Sequence, residues 1–341
     1  MRKKVARRTP ARSVPKWERK NCRQPGKRPL VPLLHWHFIV VLKPKSGNRA
    51  RQSAARKPER NGLLFHEKSH KSPLLLASTS ARYNAPMRVI SVQSGSNGNC
   101  IYVESGGVRL LVDAGVSGAQ AESRLAGHGV NIRDINAVLI SHDHSDHSGS
   151  LGVFQRKFGL PVYVTPRTLL QAGRRKALGK LDMIEHFAAG APLRFGPVTV
   201  ETIPTPHDGV DGVAFVVDDG QRRLGILTDL GHVFRGLGSL IESLDALILE
   251  SNYEPRMLAC GGYPPHLKRR IRGPGGHLSN QEAAWLVAEA ASARLRWLCL
   301  AHLSEENNTP QQAQRVHREI LGDRLPLYLA SRYEASPIFV V

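Results

Sequence analysis

The chain has 341 residues, of which 41% are hydrophobic, so it is long and apolar enough to bury a real core in one large or two ordinary domains. No run approaches ~18 consecutive apolar residues, and the sequence therefore predicts no transmembrane helix. Four cysteines without a Cys-x-x-Cys pair exclude a disulfide framework, which makes the reducing cytoplasm the expected compartment.

The positive charge is concentrated in the N-terminal quarter. The formal net charge is +20, and residues 1–86 hold 22 of the 48 basic residues but only three of the 28 acidic ones. Three interpretations stay open for this segment: translation that begins at Met87, a basic arm that holds nucleic acid through phosphate charge, or a targeting peptide. We expect residues 1–86 to be a disordered extension and residues 87–341 to form the folded domain.

The elements predicted after Met87 follow a clear order. Apolar runs predict strands at Arg88–Gln93, Cys100–Glu104, Val108–Val112, Ala137–Ile140, 198–203, 212–217, 224–228, 245–249, 296–301 and 337–341. Helices are predicted near Ala119–Ala126, Pro166–Leu178, Ser279–Ser292 and Thr309–Leu321, the last two with capping patterns at their first residues. Strands dominate the first half and alternate with helices in the second, which predicts an α/β layered sandwich.

One short stretch after the fourth predicted strand is rich in metal-binding side chains. It reads His-x-His-x-Asp-His, with His142, His144, Asp146 and His147. Imidazole and carboxylate are the usual protein ligands of zinc and similar divalent ions. In an extended loop His142 and His144 point the same way and can share one ion, while Asp146 and His147 can reach a second ion.

A complete two-metal site needs three further ligands, and strand ends supply candidates. His207, Asp229 and His302 each follow a predicted strand, as His142 does. Strand ends from one sandwich can converge on a common edge, which is what a shared metal site requires.

These residues carry a resemblance to a known family. The His-x-His-x-Asp-His motif, a later lone His, the Asp of Gly-x-x-Thr-Asp and a last His resemble the metallo-β-lactamase fold over nearly all of 87–341. Further stretches resemble its YycJ/WalJ branch of bacterial cytoplasmic metallo-hydrolases with DNA exonuclease activity: SGSNGNC (94–100), LVDAG (111–115), LESN (249–252), GHLSN (276–280) and HLSEENN (302–308). The resemblance implies an αββα four-layer sandwich.

The resemblance also implies a role for each ligand. The first ion would be held by His142, His144 and His207, the second by Asp146, His147 and His302, with Asp229 bridging both. Asp113 would orient a ligand imidazole; alternatively, it only stabilises the turn into Ala114 and Gly115. We expect two divalent ions, zinc by ligand type with manganese as the alternative.

The expected chemistry is hydrolysis by a water that the ions activate. Asp146 would accept or relay the proton of this nucleophile. His277 precedes a helix cap and would bind phosphate or protonate the leaving group, unless it only packs near the cap.

Substrate contacts are predicted at three places, each with a structural alternative. Ser96 and Asn99 lie in a glycine-rich loop that either cradles a phosphate or forms an ordinary turn. Asn308 either faces the site or ends a loop before a helix. Lys268 and Arg269 belong to a basic run that either follows a phosphate backbone or faces solvent.

The predicted function is phosphodiester hydrolysis, as a DNA exonuclease. The same site would also suit a small ester, thioester or cyclic phosphodiester, and a non-catalytic protein that binds nucleic acid through residues 1–86 is the second alternative. We expect DNA as the partner and no membrane, and the oligomeric state stays open.

Overall fold

The computed structural model of this protein describes residues 85–341, so the extension predicted for residues 1–86 lies outside the described residues except for its last two positions. Fourteen strands are present in this part: β1 (Arg88–Gln93), β2 (Cys100–Ser105), β3 (Val108–Val112), β4 (Ala137–Leu139), β5 (Val162–Val164), β6 (Ile184–His186), β7 (Leu193–Phe195), β8 (Val198–Pro204), β9 (Val213–Asp218), β10 (Arg223–Leu227), β11 (Ala246–Glu250), β12 (Trp297–Ala301), β13 (Leu327–Leu329) and β14 (Phe339–Val340).

Nine α-helices accompany these strands in residues 85–341: α1 (Gly118–Ala126), α2 (Ser145–Ser148), α3 (Leu151–Phe158), α4 (Pro166–Arg175), α5 (Leu237–Glu242), α6 (Pro255–Cys260), α7 (Pro265–Arg272), α8 (Asn280–Ala290) and α9 (Pro310–Leu321). A 3₁₀ turn covers Ile132–Asp134. None of the helices in the described part is long and apolar enough to cross a membrane.

The strands form two mixed sheets of seven strands each. The first sheet has the order β14-β1-β2-β3-β4-β5-β6 and the second β13-β12-β11-β10-β9-β8-β7. In the first sheet β3, β4, β5 and β6 run parallel, and in the second β10, β11, β12 and β13 do. The remaining neighbours are antiparallel, so each sheet joins an antiparallel half to a parallel half.

The two sheets pack face to face, and helices cover their outer faces. The central core contains alternate residues of both sheets, such as Val89, Leu139, Phe215 and Ile248. Since successive strand residues point to opposite faces, Leu247 instead joins the outer layer formed with α5, α8 and α9. The first sheet is covered in the same way by α1, α3 and α4. This is the four-layer αββα sandwich, and the predicted α/β fold class is confirmed.

The predicted elements agree with the structure except at short segments. The capping box at Ser279 is confirmed, and Thr309 accepts the N–H of Gln312 at the start of α9. Helix α4 ends at Arg175 rather than at the predicted Leu178, because the backbone of Lys176 is extended. The three-residue strands β5, β6, β7 and β13 were not predicted, since so few residues show no periodicity.

Candidate metal centre

Most candidate ligands follow strands that are parallel neighbours in their sheet, whereas His207 follows the antiparallel strand β8. Asp113 follows β3, and the segment that begins at Ser141 comes just after β4. In the second sheet, Asp229 follows β10, Glu250 ends β11 and His302 follows β12. The carboxyl ends of parallel strands lie at the same edge of a sheet, which is where open α/β proteins place their ligands.

Three of these residues have an unusual backbone conformation. Asp113, Asp229 and His302 have φ of 66°, 57° and 54°, and among the described non-glycine residues only Asp211 shares a positive φ. Such conformations cost roughly 1–3 kcal/mol each and are concentrated at functional sites. The strain marks two strand ends that the sequence predicts as ligand positions, Asp229 and His302, and a third, Asp113, where it predicts a residue that orients a ligand.

A first group of three imidazoles converges beside α2. The Nε2 atom of His142 lies 2.9 Å from Nδ1 of His144, and Nε2 of His207 lies 3.3 Å from the same atom. All three could hold one metal ion together. Burial lowers the pKa of His142 and His207, and it lowers that of His144 to about 4, so the three rings offer lone pairs.

A second group contains Asp146, His147 and His302. The Asp146 Oδ2 atom lies 3.4 Å from Nε2 of His302 and 3.5 Å from Nε2 of His147. Asp229 lies between the two groups: its Oδ2 is 3.2 Å from His147 Nε2, and its Oδ1 is 3.6 Å from His207 Nε2. The structure therefore brings all seven predicted ligands close together. Groups that could hold an ion also include His142 with His147 and Asp229, and His207 with Asp229 and His277, so the division into two ligand sets stays a prediction.

The chemistry of the donors fits divalent cations. The Oδ2 atom of Asp229 is buried and accepts no hydrogen bond within residues 85–341, which is costly unless a cation meets it. Burial would raise the pKa of Asp229, but the imidazoles of His302, His147 and His142 hold it well below its usual value. Burial would also raise the pKa of Asp146, and His147 and His302 lower it in the same way. Both carboxylates are therefore ionised.

Neighbouring groups orient the ligand rings. The Nδ1–H of His147 donates to Asp113 Oδ2 over 2.7 Å, and Asp113 also accepts the backbone N–H and hydroxyl of Ser141 at 2.8 and 2.9 Å. The Nδ1–H of His207 donates to the Gly276 carbonyl at 2.8 Å. These bonds leave the Nε2 atom of each ring directed at the site, a common arrangement for metal ligands.

His277 stands beside both groups and is held by a buried acid. Its Nδ1 lies 3.0 Å from Oε2 of Glu250, whose Oε1 accepts the Leu230 N–H at 2.8 Å. Its ring centroid is 4.9 Å from that of His207 and 5.2 Å from that of His302. The sequence pattern gives Glu250 no role, although a carboxylate at the end of an apolar strand is a usable signal; the structure shows that Glu250 is fully buried.

The site opens into a cavity of about 510 Å³. Its lining includes Ser96, Asp146 and His277 among the predicted residues. Asn99 is buried and does not line the cavity, but its side-chain amide contacts the Asp146 carbonyl (3.3 Å) and Nε2 of His147 (3.0 Å), the nitrogen that is directed at the site.

The other predicted substrate contacts lie elsewhere. Asn308 is buried and its amide donates to the carbonyls of Ser251 and Asn252, so it joins two loops and does not line the cavity. Lys268 and Arg269 are also outside the lining, and Lys268 Nζ donates to the Ala259 carbonyl. Two arginines line the cavity instead: Arg270, which belongs to the same basic run as Lys268 and Arg269, and Arg175, which the sequence pattern does not single out.

Comparisons with known proteins agree with this geometry. The family model described as Metallo-beta-lactamase superfamily matches residues 94–261. The chain is 34% identical over 233 residues to exodeoxyribonuclease YycJ of Bacillus anthracis, which covers 68% of this chain and 88% of that protein. It is 36% identical over 222 residues to exodeoxyribonuclease WalJ of Streptococcus pneumoniae, with 64% and 82% covered.

A solved structure supports the fold. The metallo-beta-lactamase fold protein YhfI from Bacillus subtilis superimposes with a TM-score of 0.57 at 21% identity, over 75% of this chain and 99% of that chain. The two sequence relatives and the family model assign the chain: it belongs to the metallo-β-lactamase superfamily, in the branch of the YycJ and WalJ proteins.

Proposed function

We propose that the protein is a metal-dependent phosphodiester hydrolase that degrades DNA from an end. One observation carries the proposal: two groups of metal-binding side chains lie on either side of Asp229. Asp229 and His277 both line the cavity at this site. The YycJ and WalJ relatives, both named exodeoxyribonucleases, support DNA as the substrate.

We assign two divalent ions to this site, zinc by donor type and manganese as the alternative. His142, His144 and His207 would hold one ion, Asp146, His147 and His302 the other, and Asp229 would contact both. When bound, such ions lower the pKa of a coordinated water and offset the charge that develops on a phosphate.

Asp146 is the proposed acceptor of the nucleophile's proton. Its Oδ2 faces His147 and His302, whereas its Oδ1 makes no hydrogen bond in the part of the chain that the structure describes. Asp146 also lines the cavity, so this free oxygen can be reached by a water and its substrate.

His277 is the proposed donor of a proton to the leaving oxygen. Glu250 accepts from Nδ1, which leaves Nε2 as the atom that can face the substrate. The Glu250 carboxylate fixes the orientation of the ring, because its Oε2 atom lies 3.0 Å from Nδ1 and the carboxylate is fully buried. Proton acceptor and proton donor thus line one cavity beside the metal ligands.

The test is digestion of end-labelled linear DNA by the full chain, with added Mn²⁺ or Zn²⁺. We expect release of labelled nucleotides by the wild type and loss of release in Asp229→Ala, since Asp229 joins the two ligand groups. Asp182→Ala is the matched control, because this carboxylate is exposed and paired only with Lys180 in the described residues. The labelled end that is lost first gives the direction of degradation.

Two other results would contradict the proposal. Intact DNA in the presence of bound metal would move the assignment to a small phosphodiester, ester or thioester. DNA binding without any digestion, lost on truncation to Met87, would favour a non-catalytic protein that acts through its N-terminal extension.

A further inference from the structure

We propose that Arg175 and Arg270 form a guanidinium pair that binds the phosphate groups of the substrate strand next to the scissile bond. The inference rests on the proposed function and adds to it the residues that recognise the nucleic-acid backbone. Of the Lys and Arg residues in 85–341, only these two line the cavity.

A DNA strand bound in this cavity needs cationic groups in addition to the metal ions, because some of its phosphates lie away from the scissile bond. Its lining includes the carboxylates of Asp146, Asp208 and Asp229, which repel a polyanionic strand. Residues 87–341 as a whole are nearly neutral, so no general field attracts DNA. Attraction of the phosphates next to the scissile one must therefore come from local groups, and the two arginines are placed for it.

Arg175 is held by a residue of the metal-binding segment. It ends helix α4, and its Nε donates to Oδ2 of Asp143, the residue between His142 and His144. Asp143 is fully buried, and its Oδ1 accepts the backbone N–H of Val210 at 2.6 Å. The guanidinium makes no other hydrogen bond within the described region, so its four Nη hydrogens remain available for phosphate oxygens.

Arg270 is anchored in the same manner on helix α7. Its Nε and Nη2 donate to Oδ2 and Oδ1 of Asp208 at 2.5 and 2.8 Å. Asp208 follows the ligand His207, and its Oδ1 lies 3.4 Å from His144 Nε2. The bidentate pair fixes the guanidinium plane and leaves Nη1 free, since no further bond from Arg270 occurs between residues 85 and 341.

The two arginines are held in the same way. In each case a carboxylate directly after a ligand histidine holds the Nε side of an arginine, so that the guanidinium has a fixed position relative to the metal ligands. A planar fork of N–H donors held in this way matches two oxygens of a phosphate, which a mobile lysine does not. A cavity of about 510 Å³ lies in the size range of small-ligand sites, so the pair would contact phosphates of the terminal nucleotides.

The test measures binding of the full chain to a fluorescent, phosphorothioate-linked DNA duplex that resists cleavage. We expect Arg175→Gln and Arg270→Gln each to raise the dissociation constant about 10-fold or more. Each should also lower the slope of log affinity against log salt by about one. Arg174→Gln and Arg272→Gln are matched controls, because both are exposed, lie on the same two helices and are outside the cavity lining.

Folding is checked by the melting temperature and metal content of each variant. Arg175→Gln leaves the buried carboxylate of Asp143 without its cation and can therefore destabilise the protein. If the melting temperature of this variant falls, the Asp143→Asn/Arg175→Gln double variant is measured instead, because it removes both charges. Arg175→Lys and Arg270→Lys keep the charge without the fork, and we expect only partial recovery of affinity.

The outcomes separate the two proposals. A wild-type protein that neither binds nor digests DNA would refute the proposed function together with this inference. A wild type that digests DNA, with Arg175→Gln and Arg270→Gln binding as tightly as the controls, would refute the inference alone. Loss of affinity in Lys268→Gln/Arg269→Gln instead would assign the phosphates to the exposed face of α7.

Discussion

The buried histidines of this protein differ in what lies opposite each ring nitrogen. At the candidate metal centre every ring has a carboxylate or another imidazole beside at least one of its nitrogens. His317, by contrast, is fully buried in helix α9, where its Nδ1–H donates to the Ala313 carbonyl at 2.9 Å and its Nε2 has no partner in the described part. Burial lowers the pKa of His317 from 6.5 to about 4, although the bond to Ala313 opposes the shift. The ring is therefore neutral in the folded protein.

Because of this histidine, we expect the free energy of unfolding to fall in acid. The unfolded chain binds a proton near pH 6.5 and the folded chain only near pH 4, so stability falls as the pH drops between these values. At pH 5 the cost is about 2 kcal/mol. We expect His317→Phe to reduce the difference in unfolding free energy between pH 7 and pH 5 by about this amount.

The measurement is denaturant unfolding of both proteins at the two pH values. Comparing differences removes the contribution of the metal ligands, which is common to both. His266→Phe serves as the control, since His266 is exposed and its replacement removes no buried imidazole. Equal pH dependence in wild type and His317→Phe would show that the buried ring is not responsible.

At the scale of single elements, the short helix α2 depends on the turn that follows β3. It has only four residues, too few to be stable alone, and it carries Asp146 and His147. The Ala114 N–H donates to the His147 carbonyl at 2.7 Å, and the Asn99 N–H donates to the Asp146 carbonyl at 2.7 Å. The turn at Gly115 approaches so closely that a Cβ there would lie 1.7 Å from the Asp146 carbonyl oxygen.

Because of this close contact, we expect Gly115→Ala to lower the stability of the protein strongly. The added methyl must displace α2, and we expect the free energy of unfolding to fall by about 3 kcal/mol. Because Asp146 and His147 move with α2, metal content should fall as well. Gly262→Ala is the control, since a Cβ there meets nothing within 4 Å. Normal metal content in Gly115→Ala would contradict the role given to this contact.

At the scale of the whole molecule, the metal centre joins the two halves of the sandwich. His142, His144, Asp146 and His147 follow the first sheet, whereas His207, Asp229 and His302 belong to loops of the second. Outside this edge the halves are held by the apolar layer between the sheets. A metal ion held by residues of both halves would therefore stabilise their packing as well as the site.

Metal removal should accordingly lower global stability. With free metal 100-fold above its dissociation constant, binding contributes about 2.7 kcal/mol, which a chelator removes and added metal restores. The measurement is the melting temperature of the wild type with chelator and after metal is added again. Asp229→Ala should respond weakly, because it loses the carboxylate shared by both ligand groups. An unchanged melting temperature of a fully stripped wild type would contradict this coupling.

Much of this molecule follows from local sequence pattern. The longer strands and helices have enough residues to show a period, and Ser279 carries its capping box within four positions. The candidate ligands could be named because four stand within six positions and the other three each follow a predicted strand. Ligand type and strand ends are properties of short segments, so they need no knowledge of the fold.

The contacts between the side chains that surround those ligands were decided only by the tertiary structure. Glu250 meets His277 from 27 residues away, Arg175 meets Asp143 from 32, and Arg270 meets Asp208 from 62. Asn99 and Asn308, which the sequence suggests as substrate contacts, are instead buried between loops. These pairings depend on strand order, register and helix position across two sheets, because a side chain's partner is set by packing and not by its neighbours in the chain.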